Sequence, residues 1–324
     1  MLATQQTAEM KLPDNYVPKR HSAWDTFKKN WTLFCLALPA LLYLLIFNYA
    51  PMVGIVIGFK NFKYNEGIFG SQWEGLNNFK FFFQSSDAWR VTRNALGYNA
   101  FFIVSGVVVS VILALLLYEL SNKICIRFYQ TMMFIPHLLS WVVAAYILYA
   151  FLNVRSGMLN TWGMKYFGWA NPIDWYNEPG PWVFVIPIAH IWKGVGMNAL
   201  VYYASLMGID TEYFEAASIE GATRPQITRY ITLPFLYPTI TILSIMAVGK
   251  IFNSDFGMFY QLPMGSTMVL PTTDVIETFT FRALQNGSLS LSTAVGLVQS
   301  VVGLCLVLLT NWIVKKINPE NALY

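Results

Sequence analysis

The chain has 324 residues, of which 56% are hydrophobic and only 12% are charged, whereas about a quarter of the residues of a soluble domain carry a charge. With a mean hydropathy of +0.46, this composition excludes a soluble globular protein and predicts an integral membrane protein surrounded by membrane lipid. The net charge of +4 is small, and the sequence has no dense basic run with interleaved aromatic residues, so nucleic acid is excluded as a partner.

Six apolar runs reach or approach the length of about 20 residues that a helix needs to cross the hydrocarbon core. The predicted spans are Leu33 to Gly58, Leu96 to Leu120, Thr131 to Leu152, Trp182 to Leu206, Leu233 to Phe252 and Thr293 to Val314. The sequence therefore predicts an all-α integral membrane protein with six transmembrane helices in residues 31–324, after a polar tail of residues 1–30. The first run starts too late and is too long for a cleaved signal peptide, so we expect it to remain as a helix.

Two long loops are rich in aromatic residues. The loop from Phe59 to Asn94 is expected to lie on the bilayer surface or against partner subunits. The loop from Asn153 to Pro181 carries three tryptophans, and two interpretations stay open for it: contact with a binding protein, or a cap on the membrane surface. Only about ten residues separate the second span from the third, which predicts a tight helical hairpin.

Between the fourth and fifth spans lies a polar stretch, residues 207–232, that must stand outside the membrane. Residues Tyr213 to Glu220 contain neither Gly nor Pro, so they predict about two turns of helix, which Gly221 should end. Pro225 then starts a second short turn. Small residues beside two aromatic ones give this helix a shape suited to insertion into a groove.

This stretch resembles a known family. The spacing Glu215-Ala216-Ala217, three residues, Gly221, nine residues, Ile231-Thr232-Leu233-Pro234 is similar to the cytoplasmic loop of permease subunits of binding-protein-dependent ABC importers. In that family the loop forms a coupling helix that fits a cleft on the ATPase subunit. The resemblance therefore implies an ATPase coupling role for the residues that carry it: Glu215, Ala216, Ala217, Gly221, Ile231, Leu233 and Pro234.

The resemblance covers most of the chain. Residues Phe134 to Trp141 and Trp192-Lys193-Gly194 resemble sugar-importer permeases, in particular the polysaccharide and oligosaccharide group that includes alginate importers. The resemblance implies a permease heterodimer in the bacterial cytoplasmic (inner) membrane. It also implies that the five later spans of this chain form the core shared by the family. The implied partners are a second permease, two ATPase subunits that use ATP and Mg, and a periplasmic or extracellular sugar-binding protein. No cofactor is expected in this chain itself.

An even number of spans puts both termini on one side of the membrane. Our assignment gives eleven Lys and Arg residues on the terminal side against eight on the other, which only leans towards cytoplasmic termini. The resemblance decides the orientation, because the ATPases work where ATP is. Both termini are therefore expected in the cytoplasm.

Enzymatic chemistry is not encoded in any motif of the sequence. It has no phosphate-binding loop, no His-Glu-x-x-His and no Cys-x-x-Cys, and its three histidines are scattered, so no metal site is expected. We interpret the chain as a transport subunit. The rivals are a self-sufficient secondary carrier and, more distantly, a membrane enzyme. A carrier should show an internal repeat, broken helices or acids within its spans, and the sequence gives no sign of these.

Ionisable residues within spans are informative because they are costly there. Lys193 lies near the centre of the fourth span with no acid at its depth, so it faces a cavity, meets an acid of a partner subunit, or is neutral. Lys250 is expected to pair with Asp255 or to reach the membrane interface, and we favour the pair. The candidate substrate path consists of Lys193, Trp192, Asn198, Asn253 and Tyr260, although hydrogen bonds between helices explain the asparagines equally well.

Overall fold

A computed structural model describes residues 23–317 of the protein. Most of the predicted tail and residues 318–324 lie outside this range. The described residues divide into two compact units, one ending at Val53 and the other beginning at Gly54. Helices dominate both units, as the sequence predicts.

The first unit consists of one apolar helix and a short helix before it. Helix α1 is Ala23–Lys29 and helix α2 is Trp31–Leu44. The helix then continues as a π-helical turn, Leu45–Tyr49, and as a 3₁₀ stretch that starts at Ala50 and ends at Phe59 in the second unit. Pro51 has no N–H to donate to the carbonyl four residues earlier, so one hydrogen bond of the α-helical pattern is missing there.

The second unit contains fourteen described helices and a two-stranded antiparallel sheet, in which Lys60 pairs with Trp73 and Asn61 with Gln72. In chain order the elements are β1 Lys60–Asn61, α3 Gly67–Gly70, β2 Gln72–Trp73, α4 Asn77–Gln84, α5 Ser86–Tyr118, α6 Lys123–Leu138, α7 Trp141–Leu152, α8 Met158–Tyr166, α9 Trp182–Leu206, α10 Thr211–Ile219, α11 Arg224–Ile227, α12 Leu233–Gly249, α13 Phe256–Gln261, α14 Leu270–Thr273, α15 Ile276–Gln285 and α16 Leu289–Ile317.

By length and composition, five helices in residues 23–317 can cross a membrane, and the bent pair of α6 and α7 makes a sixth. The long helices are Trp31–Phe59, Ser86–Tyr118, Trp182–Leu206, Arg224–Gly249 and Leu289–Lys316. Four predicted spans differ at their ends: the first runs from Trp31 to Phe59, α5 starts ten residues before Leu96, the fifth runs from Arg224 to Gly249, and the sixth is longer at both ends. The third differs in kind.

The third span is not the continuous helix that the sequence predicts. Helices α6 and α7 meet at an angle of 96°. Leu139 is extended, and Ser140 begins a new helix because its hydroxyl accepts a hydrogen bond from the backbone N–H of Val143. The expectation that this chain has no broken helix is therefore wrong, and it no longer counts against a secondary carrier.

The core of the second unit lies along helices α5 and α9. Around their first halves, buried residues of α7, α13, α15 and α16, with others from the neighbouring loops, complete one cluster. Near their last turns a second cluster joins them to α12 through Tyr202, Leu206 and Leu236. Where α6 crosses α9, a Cβ at Gly196 would overlap the carbonyl of Met133, so only glycine permits this approach.

A buried carboxylate holds the early start of α5 in place. Asp274 is 0% exposed, and its oxygens accept hydrogen bonds from Arg90 of α5 at 2.8 Å and from both terminal nitrogens of Arg282 at 2.7 Å. Thr278 also donates to it. Arg90 in turn meets the half-exposed Asp87, so two arginines and two acids balance in charge. The sequence analysis did not single out this cluster, because its members are spread over almost 200 positions.

We predict that Asp274→Asn lowers the free energy of unfolding by about 3 kcal/mol, since it leaves Arg282 without a carboxylate in a partly buried site. The measurement is the thermal unfolding midpoint of the detergent-solubilised protein. Asp87→Asn is the control, because it removes the exposed acid of the same network and should cost less than about 1 kcal/mol. Equal midpoints for Asp274→Asn and the parent would refute this role.

Candidate functional site

The polar loop of residues 207–232 has the predicted helix and the predicted stop. Asp210 caps α10 by accepting from the backbone N–H of Glu212. At the other end the N–H of Gly221 donates to Ser218 and that of Ala222 to Ala217, which is the paired bonding of a Schellman motif. Gly221 has φ of +80°, a conformation that L side chains rarely adopt. The backbone conformation therefore favours glycine here.

Helix α10 rests on the membrane helices through one face and exposes the other. Phe214 contacts the ring of Tyr118 at the end of α5, and Tyr213 contacts Phe235 on α12, with ring centroids 5.8 and 5.2 Å apart. The opposite face exposes Glu215, Ala216 and Ile219, the last at 87% exposure. A large apolar side chain this exposed outside the membrane indicates a surface that a partner covers.

The second part of the loop continues directly into the fifth span. Thr223 and Gln226 form a capping box that starts α11 with Pro225 in its first turn. A π-helical turn, Thr228–Thr232, joins α11 to α12 without a break in the helix. The motif residues Ile231 and Leu233 are half-buried in this continuation, and Pro234 is exposed. They belong to the helix that continues into the fifth span and not to the exposed face of α10.

A polar cavity of about 290 Å³ lies between α5, α9 and α12. Two of the five path candidates, Asn198 and Asn253, line it together with Lys250. Its other lining residues are Asn99, Phe102, Ile103, Gly106, Val107, His190, Tyr202, Leu243 and Ala247. None of these side chains is acidic, so the cavity offers an ammonium group and amides without a competing carboxylate.

The other three path candidates lie elsewhere. Trp192 lines a separate, largely apolar cavity of about 710 Å³ between α7 and α9. Tyr260 stacks on Phe256 and contacts Phe281 edge-on. Lys193 donates to the carbonyl of His137 at 2.8 Å and lies 5.2 Å from the centre of the Trp141 ring. A place for these three in a substrate path stays a prediction.

Lys193 has a structural partner that the sequence does not reveal. Because α6 ends at Leu138, its last carbonyls lose the donors that a continuing helix supplies, and Lys193 satisfies one of them. The positive charge also suits the C-terminal end of a helix. Lys193 thus ties α9 to the break between α6 and α7.

The favoured pair of Lys250 and Asp255 is wrong. No ion pair joins these side chains in the described range. Asp255 instead accepts from the indole N–H of Trp141 and caps α13 by accepting from the backbone N–H of Met258. Lys250 instead lines the polar cavity.

The histidines do not gather at a site. His190 stacks on Phe102, His137 contributes its carbonyl to Lys193, and His21 lies outside the described residues. Within residues 23–317 no group of three or more His, Cys, Asp or Glu side chains is arranged to hold a metal ion.

Comparison with known proteins places these features in a family. A family model described as the inner membrane component of binding-protein-dependent transport systems matches residues 106–319. Protein LplB of Bacillus subtilis is 34% identical over 91% of this chain and 92% of its own length. The polygalacturonan/rhamnogalacturonan transport system permease YteP of the same organism is 31% identical over 89% of each chain.

A solved structure is also similar. It is a bacterial alginate ABC transporter in complex with an alginate pentasaccharide-bound periplasmic protein. One of its chains has a TM-score of 0.82 and 30% identity to this protein, covering 92% of this chain and 98% of that one.

We predict that Lys193→Met lowers the free energy of unfolding by about 1 to 2 kcal/mol, because a helix-end carbonyl loses its charged donor. Lys193→Arg should retain the hydrogen bond and the ring contact, and so the stability. Thermal unfolding in detergent measures both.

Lys165→Met serves as the control, since Lys165 lies over the ring of Tyr166 in the same way but at an exposed site. A Lys193→Met protein that unfolds like the parent, yet binds an acidic sugar less tightly, would instead support Lys193 as part of the substrate path.

Proposed function

This chain belongs to the family of inner membrane components of binding-protein-dependent transport systems, and on this premise we propose that it is one of two permeases of an ATP-driven importer for acidic oligo- or polysaccharides. It is a multi-pass transport subunit and not an enzyme. The choice of an acidic sugar rests on the polar cavity. Its lining includes Lys250 and three asparagines and contains no acidic side chain.

Two relatives agree with an acidic cargo. YteP is named for polygalacturonan, and the similar solved structure is an alginate transporter; both polymers are chains of uronic acids. Each sugar unit carries a carboxylate, which an ammonium group and amide N–H donors bind well. We propose a uronate-containing oligosaccharide as the substrate class, with alginate and polygalacturonate fragments as the leading candidates.

The proposed assembly has four kinds of subunit. This chain and a second permease enclose the path, a sugar-binding protein delivers the cargo from outside, and two ATPase subunits bind ATP and Mg on the cytoplasmic side. With α10 facing the ATPases, both termini are cytoplasmic and the membrane is the bacterial inner membrane. The loop of residues 153–181 then faces the binding protein.

The proposed coupling runs through α10. An ATPase groove would cover the exposed face with Glu215, Ala216 and Ile219. A displacement of α10 would pass to α5 through the contact of Phe214 with Tyr118, and to α12 through the unbroken helix that begins at Arg224. Closure of the ATPases would thereby favour one of two arrangements of the spans.

A secondary carrier is the alternative, and the bent pair α6 and α7 is the feature in its favour. The two functions differ in their energy source. Proteoliposomes that contain this chain alone should take up no sugar when an ion gradient is applied. Gradient-driven uptake under these conditions would favour the carrier.

We predict that Gly221→Asn and Gly221→Asp uncouple transport: ATP hydrolysis by the complete complex no longer rises when loaded binding protein is added. A Cβ at Gly221 meets no atom of this chain within 4 Å, so any large effect must come from a partner that closes over this position. Backbone strain alone accounts for roughly 1 kcal/mol, and Asn tolerates positive φ better than other residues.

Gly287→Asn is the matched control. Gly287 has φ of +79° and likewise meets nothing within 4 Å, but it lies between α15 and α16, far along the chain from the polar loop. The control should keep normal coupling. Normal coupling in both Gly221 variants would show that no ATPase groove covers this turn.

We predict that Lys250→Met weakens the binding of tetragalacturonate to the complete complex about tenfold, because the carboxylate loses a charged donor. Lys250→Arg should keep most of the affinity. The control ligand is the same tetramer with its carboxyl groups reduced to alcohols, which Lys250→Met should bind as the parent does. Equal affinity of Lys250→Met and the parent for the acidic tetramer would remove this cavity from the substrate path.

A further inference from the structure

The wall of the polar cavity includes a segment that is not helical. Residues 250–255 connect α12 to α13, and Lys250 and Asn253 of this segment line the cavity. Backbone without helical bonding is tolerated at membrane depth only where the protein satisfies its polar groups or where it lines a cavity. The groups that hold this segment therefore decide what the cavity presents.

Side chains of three different helices bind the segment. Asn99 of α5 donates its amide to the carbonyl of Ile251 at 2.8 Å. Gln299 of α16 donates to the carbonyl of Phe252 at 2.7 Å. Glu277 of α15 accepts from the backbone N–H of Ser254 at 2.7 Å. The segment is thus held by residues distant in sequence, in addition to local hydrogen bonds such as that from the backbone N–H of Asn253 to the carbonyl of Lys250.

Gln299 also controls the orientation of a side chain that lines the cavity. Its amide nitrogen lies 2.7 Å from Oε1 of Glu277 and 2.7 Å from the carbonyl of Phe252, and both of these oxygens accept. Gln299 must therefore present its NH₂ group on this side. The same nitrogen lies 2.8 Å from Oδ1 of Asn253, so its two hydrogens are shared among three acceptors and Asn253 turns its oxygen towards Gln299. This leaves the NH₂ group of Asn253 for the cavity.

We propose that Glu277 and Gln299 are positioning residues that make the cavity donor-rich: they hold Asn253 so that its amide N–H groups, beside the ammonium of Lys250, face a substrate carboxylate. This inference rests on the proposed function, because it requires that the acidic sugar passes through this cavity. It adds two residues that do not touch the sugar but decide which sugars the cavity accepts.

The surroundings of Glu277 fit this role. Its Oε2 is buried and has no hydrogen-bond partner in the described part of the chain, and no cation pairs with it there. Burial raises the pKa of Glu277, and the nearby charge of Asp255 raises it further. Oε1 accepts in both the neutral and the ionised form of Glu277, so Glu277 can orient Gln299 in either form.

The experiment measures equilibrium binding of tetragalacturonate, and of the carboxyl-reduced tetramer, to the complete permease and ATPase complex without binding protein. Gln299→Met should raise the dissociation constant for the acidic tetramer about five- to tenfold and leave that for the reduced tetramer within about twofold. Asn253→Ala should give the same selective loss. The double variant should be no weaker than either single one, since Gln299 acts only through Asn253.

Two further variants test the relay. Glu277→Gln keeps an accepting oxygen and should bind both tetramers like the parent, whereas Glu277→Met frees Gln299 and should reproduce the selective loss. If Gln299→Met does not assemble, the two Glu277 variants decide the question alone. Ser300→Ala is the matched control on α16, because its hydroxyl bonds only to Gly296 of its own helix.

The outcomes separate the two proposals. If Asn253→Ala and Lys250→Met weaken binding of the acidic tetramer but Gln299→Met and Glu277→Met do not, the positioning role is wrong and the substrate path stands. Unchanged binding in Asn253→Ala and Lys250→Met together would overturn the path itself. Equal weakening for both tetramers in Gln299→Met, or additive losses in the double variant, would mean a general structural role and would also refute the inference.

Discussion

The structure depends on one constraint: within a membrane every backbone N–H and carbonyl needs a partner inside the protein. Within a helix, backbone N–H and carbonyl groups bond to each other. Where a helix ends, the groups left over need other partners, and side chains from distant helices can supply them. Lys193 does so at the break between α6 and α7, and Asn99, Gln299 and Glu277 do so where α12 ends. These breaks are therefore the places where distant helices are joined.

The same constraint places the features of functional interest. Where α12 ends, the segment of residues 250–255 contributes Lys250 and Asn253 to the wall of the polar cavity. The helix that begins at Arg224 runs without a break to Gly249 and so joins the polar loop directly to the fifth span. Leu243 and Ala247 in the second half of α12 line the cavity, and Phe235 in its first turn contacts Tyr213 of α10.

The two buried acids, Asp274 and Glu277, differ in whether a cation pairs with them. Asp274 forms ion pairs with one arginine of α5 and one of α15, and so it links these two helices. Glu277, three residues later, meets no cation among the described residues and instead orients amides. Burial raises the pKa of Glu277, because a carboxylate without a cation loses hydration there and gains no ion pair.

The sequence by itself determined the features that depend on neighbouring residues only. Apolar length predicted the spans, because the transfer of a helix into lipid is close to a sum over its own residues, and Gly221 after Ala216 and Ala217 predicted where α10 ends. The family motif also lies in one continuous stretch. The tertiary structure alone decided which partners meet across the chain. The indole N–H of Trp141 binds the carboxylate of Asp255, for which Lys250 was the expected partner. Gln299 orients the amide of Asn253, which lies 46 positions earlier in the chain. Such partners depend on how the helices pack, and no local pattern encodes that geometry.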